Sequence, residues 1–188
     1  MKNILLSCIT FLLFIPTAKS DLGLNVGLGL PYVSQYGINY TMGPSWSVNL
    51  EVNTLDISTG EASVKLGMNE FGINWHPFAG SFFIGLGIGQ QKLDVSASDL
   101  GTGASASVDV TSTTTIAKLG WMWGKADGGL WFGMDLAFIS PTGSEVNVET
   151  TGGLGTNTQE YQDVLDAGEQ FGSTAYANIT FARLGYLF

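Results

Sequence analysis

The chain ends in a stretch whose side chains alternate in character, and this stretch constrains the fold more than any other. Read as an extended strand, residues 176–188 send successive side chains to opposite sides. One face then carries Tyr176, Asn178, Thr180, Ala182, Leu184, Tyr186 and Phe188, and the other carries Ile179, Phe181, Arg183, Gly185 and Leu187. The pattern predicts a long amphipathic β-strand that closes on an aromatic residue.

Residues 1–20 have the pattern of a secretory signal peptide. Lys2 gives a positive start, residues 4–15 are mostly apolar, and the small residues Ala18 and Ser20 stand three and one positions before Asp21. A transmembrane anchor is the alternative, but a helix needs about 20 apolar residues to span a bilayer. We therefore predict a signal peptide over 1–20 and one mature domain over 21–188.

The composition of the mature domain excludes several classes of protein. Without Lys2 and Lys19, 5 of the 7 basic residues remain against all 16 acidic ones, a formal charge of −11 that would repel nucleic acid. Cys8 leaves with the signal peptide, so disulfide chemistry is absent. The domain has no apolar run of membrane-helix length, so a membrane location would require a closed barrel.

Eight segments alternate between an apolar face and a face of Gly, Asn, Ser and single charges. They are residues 22–30, 35–41, 46–53, 64–75, 82–91, 116–123, 130–138 and 176–188. The fourth changes phase, from Val64, Leu66 and Met68 to Phe71, Ile73 and Trp75. This change predicts a β-bulge near Asn69 and Glu70, with Lys65 and Gly67 on the polar face.

The eight segments favour an all-β fold, an eight-stranded antiparallel up-and-down transmembrane β-barrel. Only 12% of the residues are charged, which suits lipid outside and a small polar lumen inside. A soluble lipocalin-like barrel is the alternative, but its outer face would be richly charged.

The terminal strand, with Tyr186 two positions before Phe188, resembles the closing strand of bacterial outer-membrane barrels. The architecture of residues 21–188 resembles small outer-membrane proteins of the OmpA and OmpX type. The resemblance implies a place in the bacterial outer membrane, contact with its lipid and lipopolysaccharide, and recognition of the last strand by the barrel assembly machinery. We expect a monomer.

Aromatic residues gather near the three short connections at 42–45, 76–80 and 124–129. An aromatic girdle at a membrane interface accounts for this placement better than core packing does. The predicted girdle consists of Trp46, Trp75, Trp121, Trp123, Trp131, Tyr186 and Phe188.

Six charged residues fall on the predicted inward faces, three acids and three bases with no net charge. They are Glu51, Lys65, Glu70, Lys118, Asp135 and Arg183. An eight-stranded barrel is only wide enough for side chains to fill it, and buried charges must be paired. We therefore expect an ion-pair network that plugs the lumen. A narrow ion path through the same residues is the functional rival.

The other connections, at 31–35, 56–63, 94–112 and 140–174, should face the outside of the cell. The third, rich in small residues over 96–107, is expected to be flexible. The fourth is acidic, and part of it, 157–171, could form a helix exposing Tyr161, Val164 and Leu165. Its acids are Glu145, Glu149, Glu160, Asp163, Asp166 and Glu169. Cation bridging to lipopolysaccharide phosphates is conceivable there, but no spacing matches a calcium loop, so solvated acids are the preferred interpretation.

His76 is the single histidine and the obvious candidate for catalysis. Lipid A deacylases of the PagL type use a Ser-His-acid site, but His76 falls at a periplasmic turn, away from the lipopolysaccharide leaflet. An interfacial turn residue is therefore the preferred interpretation. Residues 85–89 lack the G-x-G-x-x-G spacing, and their glycines instead save space inside the barrel. No cofactor, metal or enzymatic activity is expected.

These observations favour a small barrel with a filled lumen that acts through its outer connections, in surface interaction or envelope integrity. A narrow pore and a lipid A-modifying enzyme are the alternatives. The sequence does not identify an extracellular ligand.

Overall fold

The computed structural model describes residues 20–60, 62–98, 105–125, 128–151 and 159–188. The predicted signal peptide lies outside this part of the chain except for Ser20, which begins the first strand. The boundary between signal peptide and mature domain therefore stays a prediction.

Eight antiparallel strands close into a barrel in which each strand pairs with its neighbours in sequence and the last pairs with the first. The strands are β1 Ser20–Leu30, β2 Ser34–Met42, β3 Trp46–Ser58, β4 Ala62–Trp75, β5 Phe82–Ser98, β6 Ser105–Trp123, β7 Gly129–Thr151 and β8 Tyr176–Leu187. A 3₁₀ turn spans Pro77–Ala79, and the helix α1 spans Gln159–Ser173. The predicted fold class and the helix in the fourth outer connection are confirmed.

Apolar side chains cover the outside of the barrel. Leu22, Leu24, Val26 and Leu28 on β1 each expose about half of their surface, and the outward residues of the other strands are similarly exposed. A soluble fold would bury such a band, since contiguous apolar surface of this extent is costly in water. The arrangement is that of a barrel whose outer face contacts lipid.

No helix in the described ranges is long and apolar enough to cross a membrane.

The predicted bulge in β4 is wrong. From Ala62 to Trp75, β4 pairs with β5 in unbroken register. Leu66 and Met68 therefore point inward with Glu70, and Lys65 points outward. The apolar residues of β4 change sides because the part of the strand that holds Leu66 and Met68 lies beyond the lipid-facing band. There the apolar side chains pack together inside the barrel.

A bulge lies instead in β8, and the pairing of β6 with β7 also shifts register between Thr113 and Thr114. Arg183 pairs with Gly133, whereas Thr180 pairs with Asp135, so the register shifts between them. Phe181 and Ala182 both face away from the interior, and Thr180 and Arg183 both face into it. The strict alternation predicted for this strand is therefore interrupted, and the interruption brings Thr180 and Arg183 to the same side.

The two ends of the barrel differ in height. At one end, the turn end, short connections join β2 to β3, β4 to β5 and β6 to β7. At the other end, the wall end, β1 stops at Leu30, whereas β5 continues to Ser98 and β7 to Thr151. Much of the sequence assigned to outer connections at 94–112 and 140–174 is therefore strand.

Helix α1 lies against the inner face of the tall wall. A Cβ atom added to Gly168 would lie 2.9 Å from the Val146 side chain and 3.3 Å from that of Val110. A Cβ atom added to Gly172 would lie still closer to the Ser144 side chain of β7. These small residues let the helix approach the sheet, so α1 covers the wall end of the interior.

The candidate site in the barrel interior

Five of the six predicted interior charges form one connected network. Arg183 contacts both oxygens of Glu51, and its Nη2 lies 3.0 Å from Asp135 Oδ2. Lys118 Nζ lies 2.9 Å from Glu51 Oε2 and 2.6 Å from Glu70 Oε1. All five side chains are almost completely buried, so these contacts form without competing water.

Strand pairing explains why these side chains meet. Glu51 and Glu70 stand directly opposite one another on β3 and β4. Each of the five charged residues also pairs with a glycine on a neighbouring strand. The pairs are Glu51 with Gly37, Glu70 with Gly89, Lys118 with Gly85, Asp135 with Gly120, and Arg183 with Gly27 and Gly133. The glycines leave room for long side chains to extend across a narrow interior.

Amide and hydroxyl groups surround the network. Gln35 Oε1 accepts hydrogen bonds from Thr180 Oγ1 at 3.0 Å and from Arg183 Nη2 at 3.3 Å. The Thr180 hydroxyl also lies 3.1 Å from Asp135 Oδ1, and Asn49 Nδ2 lies 3.4 Å from Glu70 Oε1. The bulge in β8 is what turns both Thr180 and Arg183 towards these partners.

Lys65, the sixth predicted member, does not belong to the network. Its side chain is 56% exposed on the outside of the wall, 3.9 Å from Asp56. The prediction is wrong because it relied on the bulge in β4, which is absent from the described strand. The network therefore carries three acids and two bases, a formal charge of −1 instead of zero.

An apolar layer seals the interior at the turn end. It consists of Phe83, Met122, Trp131 and Leu187, all nearly buried. The indole of Trp131 lies directly over Gly185 on the neighbouring strand, where a side chain would collide with it. Trp131 was assigned to the outer girdle, and this assignment is wrong because the residue lies on the inward phase of β7.

The six other residues of the predicted girdle lie on the outer surface at the turn end. Trp46 and Trp75 pair across β3 and β4 with their ring centroids 6.4 Å apart, and Tyr186 and Phe188 pair along the end of β8 at 5.2 Å. Trp121 and Trp123 stand beside Phe82 and Phe132. Aromatic rings in such a band suit the boundary between lipid tails and headgroups.

A second apolar layer, which the alternation of the sequence did not predict, seals the wall end. Its buried members are Tyr32, Leu66, Met68, Ile116, Ala137 and Ile139, with Phe171 and Tyr176 packed against them. The hydroxyls of Tyr32 and Tyr176 are 2.6 Å apart, and Tyr176 donates to Gln91 Oε1 at 2.8 Å. Tyr32 lies in a segment interpreted as an outer connection, so nothing in the alternation marked it as interior.

His76 is completely buried at the turn end. Its Nδ1 lies 3.2 Å from the carbonyl oxygen of Gly80, and its Nε2 lies 3.3 Å from Ser47 Oγ. Nδ1–H therefore donates to Gly80 while Nε2 accepts from the serine. Burial and the nearby Lys125 ammonium lower the pKa of His76 to about 4, so the ring is neutral at pH 7.

The acids of the fourth outer connection do not gather. Within the described ranges, no group of three or more His, Cys, Asp or Glu side chains could hold a metal ion. Glu145 and Glu149 lie on β7, and Asp166 and Glu169 are exposed on α1. The side chains of Glu160, Tyr161, Asp163 and Val164 lie outside the described residues, and Leu165 is half-buried.

Comparison with known proteins shows the fold and does not reach a family. No family model and no curated protein sequence matches the chain. CarO of Acinetobacter baumannii is similar in structure, with a TM-score of 0.52 and 10% identity over 90% of this chain and 96% of that one. A major outer membrane protein from Thermus thermophilus has a TM-score of 0.56 and 11% identity over 90% of this chain and all of its own. At these identities the likeness establishes the barrel architecture.

Proposed function

We propose that this chain is a small, non-conducting barrel of the bacterial outer membrane that acts through its wall end, in surface interaction or in envelope integrity. The observation that carries the proposal is the filled interior. A paired polar layer lies between two apolar layers, and each layer is made of side chains that cross the lumen. Permeating ions would have to displace the side chains of all three layers.

The outer surface supports the membrane location. Apolar residues cover the strands between the aromatic band at the turn end and the polar wall, as the outer face of a barrel in lipid requires. The structural likeness to a major outer membrane protein of Thermus thermophilus adds weight. We propose lipid and lipopolysaccharide as the surroundings of this band, and the barrel assembly machinery as the partner of β8.

The unequal ends support an orientation. Outer-membrane barrels have short periplasmic turns and longer outward connections. By that rule the turn end faces the periplasm, and the wall end, with its long strands and α1, projects from the cell. The projecting part offers a large, mostly polar surface with Lys65 and Asp94 among its charges, which suits contact with other molecules.

Cysteine labelling on intact cells tests both the location and the orientation. Cys8 falls in the predicted signal peptide, so a single engineered cysteine gives a clean signal. Ser96→Cys places a thiol on the exposed wall, and Gly80→Cys places one at the turn end where an added Cβ meets no other atom. A membrane-impermeant maleimide should label the first variant on whole cells and the second only after the outer membrane is opened. Equal labelling of both on whole cells would contradict the proposed orientation.

The fully buried His76 supports a role without catalysis. Its side chain offers no surface to a substrate and bonds to Ser47 and Gly80 within the turn. Cells that express His76→Ala should therefore contain the same lipid A as cells that express the wild type, as judged by mass spectrometry. Lipid A that is altered by the wild type and unaltered by the variant would instead establish an enzyme.

A further inference from the structure

The interior network holds one more acid than base, and this imbalance has a structural consequence. Glu51, Glu70 and Asp135 face Lys118 and Arg183 in a space from which solvent is almost excluded. An uncompensated charge in such surroundings is strongly disfavoured. One further positive charge is needed, and the contacts show which carboxylate requires it.

Glu51 and Asp135 are well supplied with donors. Glu51 receives a two-pronged contact from Arg183 and a third contact from Lys118. Asp135 Oδ2 lies 3.0 Å from Arg183, and Asp135 Oδ1 lies 3.1 Å from the Thr180 hydroxyl, whose single proton is shared with Gln35 Oε1. Each oxygen of these two carboxylates therefore has a hydrogen-bond donor within reach.

Glu70 has fewer hydrogen-bond donors than the other two carboxylates of the network. Its Oε1 contacts Lys118, which is shared with Glu51, and the amide of Asn49 lies at the long distance of 3.4 Å. Its Oε2 is buried and has no hydrogen-bond partner among the described residues. A carboxylate oxygen left in this way would be costly, whereas a carboxylic acid would lose far less.

A buried hydroxyl lies across Gly89 from Glu70. Gly89 pairs with Glu70 on one side and with Thr114 on the other, so no side chain separates the two. A Cβ on Gly89 would lie 2.9 Å from Thr114 Oγ1, so this hydroxyl packs against the glycine and supplies Glu70 Oε2 with no hydrogen bond. The hydroxyl is itself buried and without a partner in the described part of the chain.

We propose that Glu70 binds a proton on Oε2 at neutral pH, so that the interior holds two positive charges, two negative charges and one neutral acid. The other titratable groups on this side of the barrel are Glu51, Lys118, Asp135, Arg183, Tyr32 and Tyr176. The two tyrosines bond to each other and are neutral, which leaves Glu70 as the group that completes the charge balance.

Infrared spectroscopy of the refolded domain, residues 21–188, tests the proposal directly. A protonated carboxylic acid has a carbonyl stretch that is resolved from ionised carboxylates and from the amide bands. At neutral pH the wild type should show this band, and Glu70→Gln should lack it. Glu145→Gln, a change on the exposed wall, is the matched control and should keep it. A wild type without the band would overturn the proposal.

The pH dependence of unfolding gives a second measurement, which does not depend on the intensity of the infrared band. A proton held by the folded state and released on unfolding makes the unfolding constant rise by about tenfold per pH unit. Above about pH 5, the unfolding constant of the wild type should therefore rise by about tenfold per pH unit relative to that of Glu70→Gln. The rise should stop once Glu70 ionises in the folded protein. Contributions from His76 and Lys125 are the same in both proteins and cancel in the comparison.

The variant should fold, because glutamine has the shape of the protonated acid and removes the need for the proton. Parallel stability curves for the wild type and Glu70→Gln would overturn the proposal. So would a difference that depends on the concentration of sodium or potassium, since the missing charge would then be a metal cation.

Discussion

The turn end and the wall end close the same lumen by different means. At the turn end, the sealing residues Phe83, Trp131 and Leu187 belong to the strands themselves, and glycines such as Gly185 make room for them. At the wall end, part of the seal comes from outside the strands, with Tyr32 before β2 and Phe171 on α1. The turn-end seal is therefore part of the barrel, whereas the wall-end seal depends on elements added to it.

The difference affects how firmly each end is closed. A cleft of about 560 Å³ opens beside α1 at the wall end, lined by Pro31, Leu66, Phe171 and Tyr176 among others. Elements that pack on a barrel without joining its hydrogen-bond ladder open at lower free energy than the ladder does. We expect any opening of the interior to begin at the wall end.

The largest effect is expected in the polar layer that both ends protect. Arg183→Ala leaves Glu51 and Asp135 without their main partner in a dry interior, and a broken buried ion pair costs about 3–5 kcal/mol. Chemical unfolding of the refolded domain measures the loss. Lys65→Ala, which removes an exposed cation from the wall, should cost less than about 1 kcal/mol. Equal losses would show that the interior network does not hold the barrel together.

A smaller effect is expected from filling space at the turn end. Gly185→Ala drives a methyl group into the indole of Trp131, and overpacking of this kind costs about 1–3 kcal/mol. Gly143→Ala on the wall, where an added Cβ meets no other atom, should be nearly neutral. Combining Gly185→Ala with Trp131→Leu should recover part of the loss in the same unfolding experiment. A loss that the second change deepens would contradict the packing explanation.

The turn end should also respond to acid. Because burial and Lys125 lower the pKa of His76 to about 4 from its ordinary 6.5, the unfolded chain binds a proton more readily than the folded one between these values. The stability contributed by the neutral ring is fully present above about pH 6.5 and is lost as the pH falls towards about 4. His76→Gln should flatten this part of the stability curve. An unchanged curve would mean that other groups set the acid sensitivity.

The smallest effect on the barrel is expected at the wall-end seal. Phe171→Ala removes the ring stacked on Tyr176, at a centroid distance of 6.4 Å, and should cost about 1–2 kcal/mol for a half-buried side chain. Hydrogen exchange should show faster opening of α1 while the paired strands stay protected. Faster exchange throughout β8 would instead show that the helix supports the whole barrel.

The sequence predicted the barrel well because a membrane imposes a simple rule on each strand. Lipid on one side and a narrow interior on the other force the alternation that marked all eight strands. The glycines opposite each interior charge were visible too, and they identified the polar face of segments such as residues 82–91.

The errors occurred where that rule stops applying. Beyond the lipid band, apolar residues of β4 can lie on either face. Leu66 and Met68 were therefore taken for lipid-facing residues, and Lys65 was assigned to the lumen as a result. A bulge depends on pairing between strands, and residues 180–183 gave no local sign of it. Trp131 satisfied the rule for an interfacial aromatic residue, and only its phase on β7 placed it inside.

Planar-bilayer conductance of the refolded residues 21–188, beside Arg183→Ala, tests the closed lumen most directly. The wild type should insert without steady conductance steps, because two apolar layers and the network between them fill the interior. Steady, ion-selective steps in the wild type that change size or selectivity in Arg183→Ala would contradict it and make the network an ion path.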